Sequence, residues 1–343
     1  MRELANSCFR KLSNNYMLLF LRGKLMLFPQ ELSEGIECLN KLLKVKDLSK
    51  MSALLTQHYK QAKGISGIEA LSQEKRLAYL TCRMPATYAS VFSVLQGLAA
   101  GRSPYYIESL LDLGAGPGTG MWAAAALFPS LSHIVNVERD AGFIALGKEL
   151  AARSALKSSN WIKEDLSQMQ CEEQFDLVLL SCSLGEIAPK DLEKLLQQAW
   201  KRVKKALVII EPGTPDGFAT IKLARESILS EGAHLIAPCP HQKSCPLNKG
   251  DWCHFAARLQ RSHLHRLSKD GKLNYEDEKF SYLMFAREKF IPLQNRIVRR
   301  PQKKEGHVVL TLCSSEGVKN QTISRKDKEM YRIARKLEWG GGF

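Results

Sequence analysis

Apolar side chains in residues 29–100 recur at helical spacing. Leu39, Leu42, Leu43, Val45 and Leu48 form one such set, and Tyr88, Val91, Leu95 and Leu98 another, with a shorter pair at Leu77 and Leu80 between them. With Pro85 and Gly101 as punctuation, this predicts an N-terminal helical region over residues 1–104. From residue 107 the period shortens. Residues 107–113, 133–137, 175–181 and 206–210 are short apolar runs of the kind that form buried strands. Between them lie helical stretches at 121–127 and 142–153, and a helix face marked by Leu192, Leu195, Leu196, Ala199, Trp200 and Val203. Strands alternating with helices predict an α/β fold with a parallel, doubly wound sheet. Residues 105–343 are therefore expected to form one Rossmann-like domain.

Residues 236–279 break this rhythm. They are rich in Cys, His, Lys and Pro, and read as a cysteine-rich insertion on the sheet. Residues 280–286 and 307–312 are strand-like again and are expected to close the sheet as an antiparallel edge pair. The run of glycines at 340–342 predicts a loose tail.

Charge changes the picture. The chain has 50 Lys and Arg against 35 Asp and Glu, a formal charge of +15. From His241 to Phe343 there are 22 basic and 11 acidic residues, so +11 of that total lies in the last 103 residues. A basic excess gathered in one part of a chain points to a polyanionic partner, most often nucleic acid. The apolar run at 17–21 is too short to span a bilayer, so no membrane partner is expected. Residues 1–26 hold five basic residues and one acidic one, and read as an upstream start before Met26 rather than as a targeting segment. With no secretory signal, a reducing compartment is expected, the bacterial cytoplasm first and the mitochondrial matrix as the alternative.

The strongest local motif is LDLGAGPGTG over residues 111–120. Gly114, Gly116 and Gly118 follow a strand and precede a helix, where the missing Cβ lets the backbone turn sharply and approach a ligand. A P-loop would need Gly-Lys-Ser/Thr, and none follows. A nicotinamide site would need G-x-G-x-x-G, whereas this loop is G-x-G-x-G with Asp112 just before it. Glu138 ends the next strand, where a carboxylate accepts hydrogen bonds from both hydroxyls of a ribose. Asp165 follows the third strand region, within reach of an adenine amino group. In these features residues 107–213 resemble class I S-adenosylmethionine-dependent methyltransferases. The resemblance implies S-adenosylmethionine as cofactor, with Asp112, Gly114, Gly116, Gly118, Glu138 and Asp165 as its binding residues. After the fourth strand the chain reads SCSLGE over 181–186, without the Asn/Asp-Pro-Pro-aromatic motif of amine-methylating enzymes. No catalytic residue is assigned, and the sequence leaves catalysis open.

The nine cysteines fall into two groups. Cys8, Cys38, Cys82, Cys171 and Cys182 are scattered in apolar or helical contexts, and most of them are expected to be buried small hydrophobes. Cys239, Cys245 and Cys253 are spaced C-x5-C-x7-C beside His241 and His254, which argues for a metal rather than a disulfide. Cys313, the only cysteine further downstream, is the candidate fourth ligand. Thiolates suit both zinc and iron–sulfur. The tight C-x2-C knuckles of many zinc sites are absent, and proline follows Cys239 and Cys245 as it does beside some iron–sulfur cysteines.

Several segments occur together in one order: RMPATY at 83–88, EPGTP at 211–215, the cysteine block with WCHF at 252–255, EKFSY at 278–282, and Cys313. From about residue 29 to Trp339 the chain thereby resembles the small-subunit ribosomal methyltransferase-like family, relatives of mitochondrial methyltransferase-like protein seventeen. That resemblance implies a [4Fe–4S] cluster on Cys239, Cys245, Cys253 and Cys313, and binding to small-subunit ribosomal RNA during assembly, with no DNA partner. Two kinds of protein share these features: an rRNA methyltransferase, and an inactive assembly factor that uses the fold to bind RNA. A zinc-containing RNA-binding protein is the third alternative.

Overall fold

The computed structural model describes residues 28–40, 45–61, 72–99, 106–170, 172–269, 272–290 and 293–343. Residues 1–26, with Cys8 and the apolar run at 17–21, lie outside them, as do Leu42, Leu43, Gly101 and Cys171.

The helical pattern of the N-terminal part forms α1 (Gln30–Leu39), α2 (Val45–Gln61), α3 (Gln73–Cys82) and α4 (Met84–Ala99). Arg83 alone separates α3 from α4. Pro85 stands in the first turn of α4, where its missing N–H leaves no bond unmade. Tyr88, Val91, Leu95 and Leu98 of α4 are buried against the main sheet.

That sheet is built from β1 (Ser109–Leu113), β2 (His133–Glu138), β3 (Asn160–Lys163), β4 (Phe175–Ser181), β5 (Val203–Pro212), β6 (His234–Ala237), β7 (Phe255–Gln260) and β8 (Tyr275–Ala286). Its order is β3-β2-β1-β4-β5-β8-β6, with β7 also on β8. The first five strands are parallel, and β8 runs antiparallel to β5 and β6. Helices α5 (Thr119–Leu127), α6 (Ala141–Ala151), α7 (Pro189–Lys201) and α8 (Pro215–Ser230) connect the parallel strands, and a short α9 (His263–Ser268) follows β7. A doubly wound sheet whose last paired strand is inserted antiparallel beside the sixth is the class I methyltransferase topology. Side chains of β8 alternate between the two faces of the sheet: Leu283 and Phe285 join one core, Tyr282 and Met284 the other.

The expected edge pair does not form. Strand β8 lies inside the sheet because β5 takes one of its edges while β6 and β7 share the other. Residues 307–312 instead belong to β11 of a second sheet, made of β9 (Arg296–Ile297), β10 (Gln302–Lys304), β11 (His307–Ser314) and β12 (Gly317–Ser324). With α10 (Lys328–Ala334), this sheet encloses its own core of Ile297, Val308, Leu310, Leu312, Ile323 and Leu337. Cys313 therefore comes from the second sheet and not from the main one. The glycine tail is pinned as well: Gly340 N–H donates to Ile297 O and Phe343 N–H to Asn295 O. Cys38 is the exposed one of the described scattered cysteines, because it lies on the solvent side of α1, opposite Leu32 and Ile36. Cys82 is buried, its thiol 3.0 Å from Ser268 Oγ.

Candidate functional sites

The turn from β1 into α5 carries the glycine loop. Gly114, Gly116 and Gly118 have φ of 73°, 55° and 84°, a backbone region that side-chain-bearing residues rarely adopt. The N–H groups of Gly114 and Ala115 both donate to Val137 O, which fastens the loop to the end of β2. A Cβ on Gly114 would lie 2.5 Å from that of Ser183, so the loop and the turn after β4 meet in direct contact.

Glu138 ends β2 beneath this loop. Its Oε2 accepts the Gly116 N–H at 2.8 Å and its Oε1 the Asp140 N–H at 2.8 Å. Burial pushes its pKa up, against the pull of those two amides. Asp112 is buried under the start of α5. Burial lifts its carboxyl to about 7, although the Met121 amide favours the charge. Asp165 accepts from Ser167 N–H at 2.9 Å and Ser167 Oγ at 2.7 Å. Burial works against its charge, but those bonds and Arg139 outweigh it and hold the pKa low. Arg139 spans the cleft, with Nη1 3.6 Å from Asp165 Oδ2 and Nη2 donating to Glu186 Oε2 at 3.0 Å. The loop glycines, Glu138 and Asp165 thus stand together at the C-terminal ends of adjacent parallel strands, the position at which open α/β sheets bind ligands.

Further residues reach this cleft, of which Tyr79 and Arg76 carry no signal in the local sequence pattern. From α3, Tyr79 reaches the loop, its hydroxyl 3.9 Å from where a Gly116 Cβ would sit. Arg83, between α3 and α4, donates to Glu278 of β8 at 3.2 Å. A fork from Arg76 to Asp140, at 2.9 and 3.0 Å, ties the same helix to the cap of α6. After β4, Cys182 adopts φ 55°, and burial pushes its thiol up to about 12. Glu211, at the end of β5, is buried and accepts the Leu184 N–H at 3.0 Å, which holds the turn in place. Burial lifts Glu211 to about 8. Arg83, Cys182, Glu186 and Glu211 all lie in the motifs RMPATY, SCSLGE and EPGTP, whose pattern alone gives them no role.

The second site is a cavity of about 40 Å³ lined by Cys239, Cys245, Cys253 and Cys313. Cys239 follows β6, Cys245 lies in the irregular loop after it, Cys253 precedes β7, and Cys313 is near the end of β11. All four are free thiols. Ser281 Oγ donates to Cys253 O at 2.7 Å, and the Trp252 indole N–H to Gly213 O at 3.0 Å, so β8 and the end of β5 anchor the loop. His241 Nε2 lies 3.9 Å from Cys313 Sγ. Burial pushes the Cys239 thiol up, raises Cys253 well above the ordinary range, and lifts Cys313 to about 12; in all three the neighbouring thiols add to it. Among the described residues, no three His, Cys, Asp or Glu side chains are already arranged to hold a single metal ion. The four thiols share a cavity without forming a one-ion cage.

A class I methyltransferase sheet with a glycine loop at its switch point, and a thiol-lined cavity at its far edge, define the class of protein. A family model described as mitochondrial small ribosomal subunit Rsm22 matches residues 73–343, and the chain belongs to that family. Among curated relatives, it is similar to "Rsm22-cox11 tandem protein 2, mitochondrial" of Schizosaccharomyces pombe, at 27% identity over 78% of this chain and 43% of the relative. It is also similar to "Ribosome assembly protein METTL17, mitochondrial" of Homo sapiens, at 26% identity over 83% of this chain and 64% of the relative. The chain spans under half the length of the fission-yeast relatives and just under two thirds of the human one. Solved structures that overlap it include magnesium protoporphyrin IX methyltransferase from Synechocystis with bound SAM, at 12% identity, TM-score 0.39, over 73% of this chain and all of that one. Another is the N-methyltransferase NodS from Bradyrhizobium japonicum, at 12% identity, TM-score 0.39, over 67% and 96%. The fold assignment rests on strand order and not on these overlaps.

Asp112 and Glu211 bear on stability. Each holds a proton in the fold at pH values where the unfolded chain has released it, from about 4 up to about 7 for Asp112 and about 8 for Glu211. Stability therefore falls as pH rises through that window. Glu211→Gln removes one such group and keeps an acceptor for Leu184. The drop in melting temperature between about pH 5 and about pH 9 should shrink in this variant. An unchanged slope would mean that Glu211 is ionised in the fold.

Proposed function

We propose that this chain is an assembly factor of the mitochondrial small ribosomal subunit that binds S-adenosylmethionine at the glycine loop and a [4Fe–4S] cluster in the thiol cavity. The observation that carries the reading is the convergence of Cys239, Cys245, Cys253 and Cys313 on one cavity in a member of this family. The names of its relatives favour the mitochondrial matrix over the bacterial cytoplasm. Among the described residues, no helix is long and apolar enough to cross a membrane.

The donor chemistry suits the groups proposed. Four soft thiols and no carboxylate line the cavity. A single zinc ion needs four sulfurs about 2.3 Å from one centre, hence close together. A cluster separates its thiolates by the width of its iron core, and its thiolate ligands are those the family resemblance implies. When bound, S-adenosylmethionine supplies an electrophilic methyl group. Glu138 would hold the ribose hydroxyls and Asp165 the adenine amino group. Asp112 would support the loop from beneath, and the glycines would leave room for the nucleotide.

A specific observation favours a second reading, in which the fold binds RNA without methylating it. The turn after β4 offers no poised base or nucleophile: the Cys182 thiol is held protonated by burial, Glu211 is engaged by the turn amides, and Glu186 by Arg139. Labelled S-adenosylmethionine with nascent small subunits separates the two readings.

Calorimetry with S-adenosylmethionine should show binding to the intact protein and none to Gly116→Arg. Gly116 has φ 55° and faces Tyr79, so a long side chain strains the loop and fills the cleft. No heat with the intact protein sinks the nucleotide reading.

The basic excess also has a structural form. Arg299 pairs with Asp251, and Lys303 with Glu338, so these two charges are partly spent. Lys304, Arg325 and Lys326 are exposed around the second sheet. Affinity for small-subunit rRNA should fall steeply with salt, and reversing these three to Glu should weaken it at every salt concentration and flatten that slope. Unchanged binding would mean that the charges only solvate the surface.

Protein purified without oxygen should carry about four irons per chain, as a four-thiolate cubane requires. Cys313→Ser should lose them and loosen the insertion, since binding at such sites is coupled to folding. Stoichiometric zinc without iron would refute the cluster. Full metal in Cys313→Ser would point to His241 as the fourth ligand.

A further inference from the structure

We propose that Arg225 and Arg296 are the built-in counter-charges of the thiol cavity: two buried guanidinium groups that balance a doubly negative, thiolate-bound centre and govern how firmly it is held. This rests on the reading of the four cysteines as ligands. Arg225, on α8, is 4% exposed, and Arg296, on β9, is 8% exposed. Both line the cavity. Among the described residues neither makes an ion pair with a carboxylate.

Their hydrogen bonds go to neutral partners. Arg225 Nη2 donates to His241 O at 3.1 Å and to Lys243 O at 2.6 Å. Arg296 donates from Nε to Pro238 O and from Nη1 to Gly340 O, both at 2.7 Å. Carbonyl oxygens satisfy donors but cancel no net charge. The Nε of Arg225 is buried without a hydrogen bond of ordinary geometry, and the guanidinium acts on the Cys239 thiol. Burying an ion without a counter-ion is strongly unfavourable, so a fold that keeps two such ions together implies an anion between them.

The cavity offers few candidates for that anion. No Asp or Glu lines it, and the only groups there able to carry negative charge are the four thiols and the Tyr282 phenol. Both arginines act electrostatically on Cys239 and Cys313, favouring the thiolate. Four thiolates around a doubly positive core, whether an oxidised cubane or a zinc ion, leave two negative charges. Two guanidinium groups neutralise them. The same bonds give the arginines a positioning role: Arg225 holds the carbonyls of residues 241 and 243 between Cys239 and Cys245, and Arg296 holds the residue before Cys239. If the centre is a cluster, one-electron reduction adds a negative charge that both cations stabilise, which raises its potential.

The test uses full-length protein purified anaerobically, in wild-type form and as Arg225→Gln, Arg296→Gln, Arg225→Lys and Arg296→Lys. Gln keeps a donor without charge, and Lys keeps the charge. Loss of metal to excess EDTA is followed in all five, and the midpoint potential is read by dithionite titration with EPR detection. The Gln variants should lose metal several-fold faster and show a lower midpoint, with the Lys variants close to wild type. Gln variants that match wild type, or Gln and Lys variants equally impaired with an unchanged midpoint, overturn the counter-charge role and leave the ligands standing. Zinc in place of iron leaves the EDTA comparison to decide. A wild-type chain that holds neither iron nor zinc sinks the ligand reading, and the counter-charges with it.

Discussion

The hydrogen bonding of β8 on both its edges is the interaction on which the rest depends. One edge pairs with β5 from Pro212 to Ala206, and the other is divided between β6 and β7. A strand paired on both sides cannot slide without moving every side chain to the wrong face. This one carries side chains for both sites. Glu278 receives Arg83 beside the nucleotide cleft, Ser281 holds the Cys253 carbonyl, and Tyr282 lines the thiol cavity. The loop after β6 and the start of β7 leave its outer edge close to each other, so the cysteines they carry start near one another. The inserted antiparallel strand of the methyltransferase sheet thereby becomes the base of a second site.

Much of this was legible in the chain because local rules were at work. Three glycines in a strand-to-helix turn announce positive φ, and Gly114, Gly116 and Gly118 have it. Glu138 and Asp165 were found as acids at strand ends, which is where parallel strands deliver side chains to a cleft. The cysteine spacing was a local signal too. The edge pairing was not legible. Strand β11 alternates half-buried and buried residues, a pattern that fits a strand in either sheet, and only the closing of β8's edges excludes it from the first. Tyr79, Arg83 and Arg139 gain their meaning from residues far away in sequence. Arg225 likewise takes its meaning from the loop of residues 241–243 that packs over it.

The two sites handle buried charge in opposite ways. In the nucleotide cleft the acids are answered locally. Glu138 takes two amides, Asp165 and Glu186 share Arg139, and Glu211 keeps its proton. Amide dipoles cost no side-chain ordering and leave the carboxylate's remaining lone pairs free. The cleft keeps a negative bias, which suits a ligand with ribose hydroxyls, an amino group and a positive sulfonium, and opposes the entry of RNA phosphates. At the cavity the bias is positive, and among the described residues only the four thiols and the Tyr282 phenol could ionise to answer it.

That polarity separates the tasks proposed for the chain. A phosphate backbone is repelled by Glu138, Asp165 and Glu186 at the mouth of the cleft and attracted by the exposed lysines and arginines of the second sheet. RNA is therefore expected to lie along the second sheet and not across the glycine loop, unless it presents a base without its phosphates. The thiol cavity stands between these regions, because Cys313 belongs to the second sheet and the other three cysteines to loops on the first. Around it, Arg296 bonds to Pro238, Lys243 Nζ reaches Ser315 O at 3.4 Å, Arg299 pairs with Asp251, and Trp339 packs on His254 and Phe255. A centre bound to all four thiols would add a covalent-strength link across this junction. The basic face would then be held by the centre in addition to these contacts, while the nucleotide cleft is braced separately by α3 and β2.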